Sequence, residues 1–150
     1  MIEKAKIPVG EFRCETPEDT FRFGERIGKA LEGGEVLLLS GTLGVGKTLL
    51  TKGIVKSLDF DADEVTSPSF TLVNLYEAEF DVYHIDLWRV GEAGEPAFAV
   101  GLDEILENES AVIIIEWSDH LNEYRFQKEV FRIEIEGDGD QARDIEVKKL

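Results

Sequence analysis

Lys47 and Thr48 are the residues of this sequence with the clearest chemical purpose, because of what stands before them. The run Ser40 to Thr48 reads SGTLGVGKT, in which Gly41 and Gly46 bracket Thr42, Leu43, Gly44 and Val45. Glycines at 41, 44 and 46 let the backbone take positive φ and close around an anion, so that successive N–H groups point at phosphate oxygens. A helix starting at about Lys47 adds the positive end of its dipole. The Lys47 amine then reaches the β- and γ-phosphates of a nucleotide, and the Thr48 hydroxyl is placed for a Mg²⁺ that bridges them. The pattern is G-x-x-x-x-G-K-[ST], the phosphate-binding P-loop, with Gly41 to Leu49 as the expected contact residues.

Such a loop needs a further carboxylate at the C-terminal end of a neighbouring strand, to hold Mg²⁺ or its water shell. Glu116, closing the apolar run Ala111 to Ile115, and Asp86, closing Val82-Tyr83-His84-Ile85, both qualify. With Lys47 they form the candidate catalytic set, and with Thr48 the candidate metal set. Each acid has a plainer reading as a surface carboxylate at a strand end, and Asp81 and Glu77 are next in line. His84 reads more readily as a packed or hydrogen-bonded strand residue than as a general base, and His120 as a surface residue. Trp88 and Trp117 read as packing. Thr66, Ser67, Ser69 and Thr71 follow the P-loop helix, where a phosphate-sensing switch would sit, and are equally readable as turn hydroxyls.

The elements that must position these residues are legible around them. Glu35 to Ser40 is a short apolar run of the kind a buried parallel strand shows, and Leu50, Ile54 and Leu58 mark one face of the helix after the loop. Upstream, Thr16 as N-cap, Pro17 at the first helical position and acids in the first turn start a helix. Its stripe is Phe23, Ile27, Ala30 and Leu31, and Gly33-Gly34 is expected to end it. Phe70 to Tyr76 and Val82 to Trp88 predict a hairpin, with Val82, His84, Asp86 and Trp88 on one face. Gly91 to Asn108 reads as helical or irregular, with one short helix after Gly101. Val130 to Glu136 and Arg143 to Val147 alternate around a Gly-Asp-rich turn, predicting an antiparallel hairpin. The sum is an α/β fold: a three-layer P-loop NTPase-like domain whose mixed sheet is parallel around the loop and antiparallel at its periphery.

The 150 residues suit a single domain over 1–150. The formal charge of −16 with a sequence pI near 4.4 offers no basic footprint for nucleic acid or an anionic membrane, so no direct tRNA or membrane binding is expected. The acidity reads either as solubility or habitat, or as a docking face for a basic partner. Cys14 is the one cysteine, which excludes an internal disulfide and fits a reducing cytoplasm. The N-terminus lacks the apolar segment of a signal peptide, and the longest wholly apolar run is five residues, so a soluble cytoplasmic protein is expected.

Taken in order, GTLGVGKT, SPSFTLV at Ser67 to Val73, VYHIDLWR at Val82 to Arg89, GLDEIL at Gly101 to Leu106 and IIEW at Ile114 to Trp117 closely resemble the bacterial TsaE family, formerly YjeE. These are small ATPases required for threonylcarbamoyladenosine formation in tRNA, at the adenosine next to the anticodon. The resemblance covers roughly Thr16 to Arg143. It implies ATP with Mg²⁺ as the ligand, and it matches Asp86 and Glu116 to the acids of the family's HxDLYR and EW motifs. It also implies an ATP-driven action on the complex of the threonylcarbamoyl-transferase (TsaD-like) with its dimerisation partner (TsaB-like), without transfer of the threonylcarbamoyl group by this chain. An adenine or ribose contact is expected near Thr16 or Thr20. The sequence departs from the family where Thr42 replaces an aspartate, Leu49 a second threonine and Trp88 a tyrosine, and where Gly91 to Val100 lacks the usual acidic-leucine helix.

Two other classes compete. A small-molecule kinase on the same fold needs arginines and a lid, and only four arginines follow the loop: Arg89, Arg125, Arg132 and Arg143. A nucleotide-gated interaction module without significant hydrolysis stays open. A guanine-reading N/T-K-x-D motif is absent, which argues against a GTPase.

Overall fold

A computed structural model describes residues 6–42, 44–68, 71–88, 97, 100–121 and 124–150, without the side chain of His120. Leu43, Ser69, Phe70, Arg89 and most of the stretch from 91 to 99 lie outside the described residues. Within them, seven strands form one sheet in the order β1-β7-β6-β2-β5-β4-β3. The strands are β1 Gly10–Cys14, β2 Val36–Ser40, β3 Val73–Glu77, β4 Asp81–Asp86, β5 Val112–Glu116, β6 Val130–Glu136 and β7 Arg143–Lys149.

The centre of the sheet is parallel. β2 lies between β5 and β6, and β4 pairs with the far side of β5. β2 and β5 are nearly all apolar because helices cover both of their faces. The periphery is antiparallel, through the β3–β4 hairpin, the β6–β7 hairpin and the β1–β7 pair. This is the mixed sheet the sequence predicts. β1 is an addition: its five residues alternate exposed Glu11 and Arg13 with inward Phe12 and Cys14, over too short a span to announce a strand.

One layer of helices consists of α1 Pro17–Ala30 and α2 Lys47–Ser57. Phe23, Ile27, Leu50 and Ile54 pack with Leu37, Leu39, Ile114 and Ile133 of the sheet. On the other face, Leu102 and Ile105 of α3 Leu102–Leu106 pack on Val36, Ile85, Ile113 and Ile115. That helix is the short one expected after Gly101. The outward faces of β1, β7 and β6 are polar, and their register sets Glu11, Glu146 and Glu134 directly abreast, with Lys148 Nζ 3.3 Å from Glu146.

α1 starts as the sequence predicts, the Thr16 hydroxyl accepting from the Asp19 N–H at 3.1 Å with Pro17 in the first turn. It ends earlier than predicted. Ala30 is the last helical residue and Leu31 is already extended, before Gly33-Gly34 is reached. The buried Glu35 carboxylate supplies the reason, accepting from the N–H groups of Glu32 at 2.8 Å and Gly33 at 2.9 Å and so holding the turn. β3 begins at Val73, later than Phe70, because Leu72 takes φ 68° and its N–H bonds to the Pro68 carbonyl at 2.8 Å. Among the described helices, none is long and apolar enough to cross a membrane.

α1 and α2 touch backbone to backbone. A Cβ added at Gly53 would lie 2.1 Å from the Phe21 carbonyl oxygen, and one at Gly24 would lie 2.3 Å from that of Leu50. Both obstacles are main chain, so an added methyl must separate the helices. Gly53→Ala is therefore expected to cost about 2 kcal/mol or more, a fall in Tm of about 4–8 °C. A thermal melt within 1 °C of the parent, by circular dichroism, would overturn the close contact.

Candidate functional site

β2, β4 and β5 are parallel, so their carboxyl ends open on the same side, where the loop from β2 to α2 also lies. A cavity of about 640 Å³ occupies this place, lined by Gly44 to Leu49, Asp86, Glu116 and Trp117, and across from them by Thr16, Thr20 and Arg143. Gly41, Gly44 and Gly46 have φ of 148°, 77° and 120°, the positive values the glycine pattern predicts. Gly46 caps α2 with no side-chain bond to its first N–H groups, which leaves that end of the helix open toward the cavity. Gly41 and Thr42 border an adjoining hollow of about 460 Å³ shared with Lys47 and Trp117. Leu43 is outside the described residues.

Lys47 is 6 % exposed and fully engaged. Its Nζ donates to the Gly41 carbonyl at 2.8 Å, lies 3.7 Å from Glu116 Oε1 and sits 4.7 Å above the Trp117 ring. An amine held by a carbonyl, a carboxylate and a ring face is parked beneath the loop, from where a phosphate can compete for it. Trp117 takes φ 61°, a left-handed conformation that is costly for a large side chain. It also packs on the exposed Trp88, with ring centres 4.2 Å apart and planes tilted by 52°.

The two acids are direct register partners across β4 and β5. Asp86 is 3 % exposed, and its Oδ1 accepts from the Trp88 N–H at 2.8 Å. Glu116 is 4 % exposed, and its Oε2 lies 2.6 Å from His84 Nε2. Because a carboxylate only accepts, the proton of that bond belongs to the imidazole. His84 Nδ1 in turn lies 3.1 Å from the Tyr76 hydroxyl. Burial raises the pKa of that hydroxyl above its usual value, so it stays protonated at neutral pH.

Among the described residues, no group of three or more His, Cys, Asp or Glu side chains is set to enclose a metal by itself. Two carboxylates and the Thr48 hydroxyl fit a Mg²⁺ that takes most of its shell from phosphate oxygens and water. The acids next in line lie elsewhere: Asp81 is five residues before Asp86, about 17 Å along the strand, and binds Asn108 Nδ2 at 3.2 Å. Glu77 pairs with Asp81 in the hairpin register at that same far end.

The opposite wall combines one residue pair the sequence indicates and one residue it does not. The Thr16 hydroxyl is occupied as a helix cap, and Thr20 is buried against the loop, its methyl 3.7 Å from where a Cβ at Gly46 would stand. Arg143 carries no local signal of a role here. Its Nε donates to the Val45 carbonyl at 2.7 Å, Nη1 to that of Gln141 at 2.6 Å and Nη2 to that of Gly139 at 3.0 Å. The β6–β7 turn is thereby tied to the P-loop across 98 residues of sequence. Arg143→Ala should release that tie, and about 1.5 kcal/mol of local stability corresponds to roughly tenfold faster hydrogen exchange at the Val45 and Gly46 amides. Exchange at parental rates in the variant would show that the guanidinium does not hold the loop.

Comparison with known proteins agrees with this fold. The family model "Threonylcarbamoyl adenosine biosynthesis protein TsaE" matches residues 14–145. A curated TsaE of Bacillus subtilis is 34 % identical over 136 residues, 90 % of this chain and 82 % of that protein. The Treponema pallidum TsaE is 36 % identical over 111 residues, 73 % of this chain and 80 % of its own. The crystal structure of Bacillus YdiB superposes with a TM-score of 0.69 at 31 % identity, covering 91 % of this chain and 82 % of that one.

Proposed function

The chain belongs to the TsaE family of tRNA threonylcarbamoyladenosine biosynthesis proteins, and on that premise we propose that it binds Mg-ATP in its P-loop cavity, hydrolyses it slowly and acts as an ATP-driven switch on the threonylcarbamoyl-transferase complex. The observation that carries this reading is the buried Lys47, held by Gly41 and Glu116 at the mouth of an open α2 N-terminus.

Each residue then has a task. The N–H groups of Gly44 to Thr48 and the Lys47 amine bind the phosphates. The Thr48 hydroxyl, Asp86 and Glu116 would hold Mg²⁺ or its waters, and the ion would neutralise phosphate charge. When phosphate draws the amine from Glu116, Oε1 is left as an acceptor that orients a water. Thr16 and Thr20 line the wall opposite the loop, which supports them as neighbours of the ribose or base end of the ligand.

Slow hydrolysis follows from charge. Of the arginines among the described residues, Arg143 lines the cavity, and its Nε, Nη1 and Nη2 each donate to a backbone carbonyl. Among the described residues, the cations lining the cavity are Lys47, Lys52 and this tethered Arg143, which favours help from a bound partner and argues against a small-molecule kinase. The partners proposed are the TsaD-like transferase and its TsaB-like companion. A chain of charge −16 does not hold tRNA by its own phosphate contacts.

Lys47→Ala is expected to lose at least tenfold in Mg-ATP affinity by calorimetry, or in phosphate release, or in both; full retention of both would remove the P-loop assignment. For the parent chain, phosphate release should change measurably when the transferase complex is added. Turnover indifferent to that complex, or micromolar tRNA binding by the chain alone in fluorescence anisotropy, would overturn the partner-dependent reading.

A further inference from the structure

We propose that Tyr76 and His84 are positioning residues that couple Glu116 to the loop at Thr66 to Pro68, so that the state of the phosphate site is felt at that loop. The inference rests on the nucleotide reading above and adds to it a route and two residues.

The route is continuous. Lys47 Nζ lies 3.7 Å from Glu116 Oε1, Glu116 Oε2 lies 2.6 Å from His84 Nε2, His84 Nδ1 lies 3.1 Å from the Tyr76 hydroxyl, and that hydroxyl lies 3.1 Å from the Thr66 carbonyl oxygen. Its side chains are shielded from water: His84 is 0 % and Tyr76 4 % exposed. The loop it reaches returns to the same cavity, since Ser67 lines the wall beside Asp86 and Glu116. Pro68 is buried, and its carbonyl fixes the turn at Leu72. The Leu72 carbonyl in turn accepts from the Asp86 N–H at 2.9 Å, so the loop is tied to both acids.

Counting protons shows why this chain of contacts has two arrangements. In the neutral imidazole that donates Nε2–H to Glu116, His84 Nδ1 carries a lone pair and needs a donor. The Thr66 carbonyl needs one as well. Tyr76 has a single proton and stands 3.1 Å from each. When the proton serves His84, Thr66 falls to Asn74 Nδ2, which lies 3.2 Å from the Thr66 carbonyl and 3.4 Å from its hydroxyl. When the proton serves Thr66, the imidazole loses its second anchor and Glu116 is oriented less firmly. Neighbouring hydrogen bonds polarise one another, so a change in what Glu116 Oε1 touches alters how strongly Nδ1 attracts the Tyr76 proton. A ligand that takes Lys47 away from Glu116 makes that change, and the loop carbonyl registers it.

Tyr76→Phe tests this in the full chain, because it keeps the ring packed at 5.1 Å from Phe60 and removes only the hydroxyl. Three quantities are read: Mg-ATP affinity by calorimetry, steady-state phosphate release, and hydrogen exchange of amides 65–67 with and without Mg-ATP. Affinity and KM should stay within twofold of the parent, kcat should fall at least fivefold, and the nucleotide-dependent difference in exchange should vanish. His84→Gln is the second variant: its amide keeps a donor for Glu116 but offers Tyr76 no ring nitrogen, and the exchange difference should vanish there too. An exchange response that persists in both variants overturns the coupling, as does a loss of kcat matched by an equal loss of affinity. A parent chain that neither binds Mg-ATP nor releases phosphate would instead overturn the nucleotide reading, and the two failures are distinguishable in the parent measurement alone.

Discussion

A carboxylate buried at the end of β5, beside the central strand β2, governs the arrangement of this molecule. Removing Glu116 from water costs several kcal/mol unless cations and donors surround it, and the described structure leaves it only 4 % exposed. Lys47 supplies the charge from one side and His84 the hydrogen bond from the other. Meeting those two demands fixes β4 beside β5 in its observed register, and it fixes α2 so that its first residue reaches under its own loop. The loop before α2, the second acid and the hairpin that carries it all meet at this one buried carboxylate.

The helix layer obeys a different constraint that converges on the same place. Gly24 and Gly53 allow α1 and α2 to meet at main-chain distance, and that proximity brings the start of α1 against the P-loop. Thr16 and Thr20 line the cavity because of helix packing rather than through any bond to the loop that their own sequence neighbourhood announces. Arg143 closes the remaining side by binding three carbonyls, so the cavity has one wall from each of three distant stretches of chain.

What could be read in the sequence was what short range determines. The P-loop, the strand and helix that flank it, the capped start of α1 and both hairpins are patterns of a few residues, and each stands in the structure. Asp86 and Glu116 were legible as strand-ending acids, though not as neighbours, since their pairing depends on a parallel register between segments 30 residues apart in number. His84 was legible only as a strand residue sharing a face with Asp86; its bond to Glu116 is a diagonal contact that appears once that register is set. The end of α1 was misplaced because a buried glutamate just past the glycines, Glu35, reaches back to the N–H groups of Glu32 and Gly33 and holds the turn ahead of them. β1 escaped notice because its alternation spans only five residues and rests on one phenylalanine and one cysteine.

The row of Glu11, Glu146 and Glu134 gives the ionic medium a hold on this fold. Like charges abreast in neighbouring strands repel, and Lys148 beside Glu146 offsets only part of that repulsion. Dissolved salt screens the remainder, over about 10 Å at 0.1 M. β1 is the edge strand in that row, and the chain passes directly from its last residue, Cys14, to Thr16 in the cavity wall. Ionic strength thus bears on how firmly this edge strand, and the turn from it into Thr16, is held.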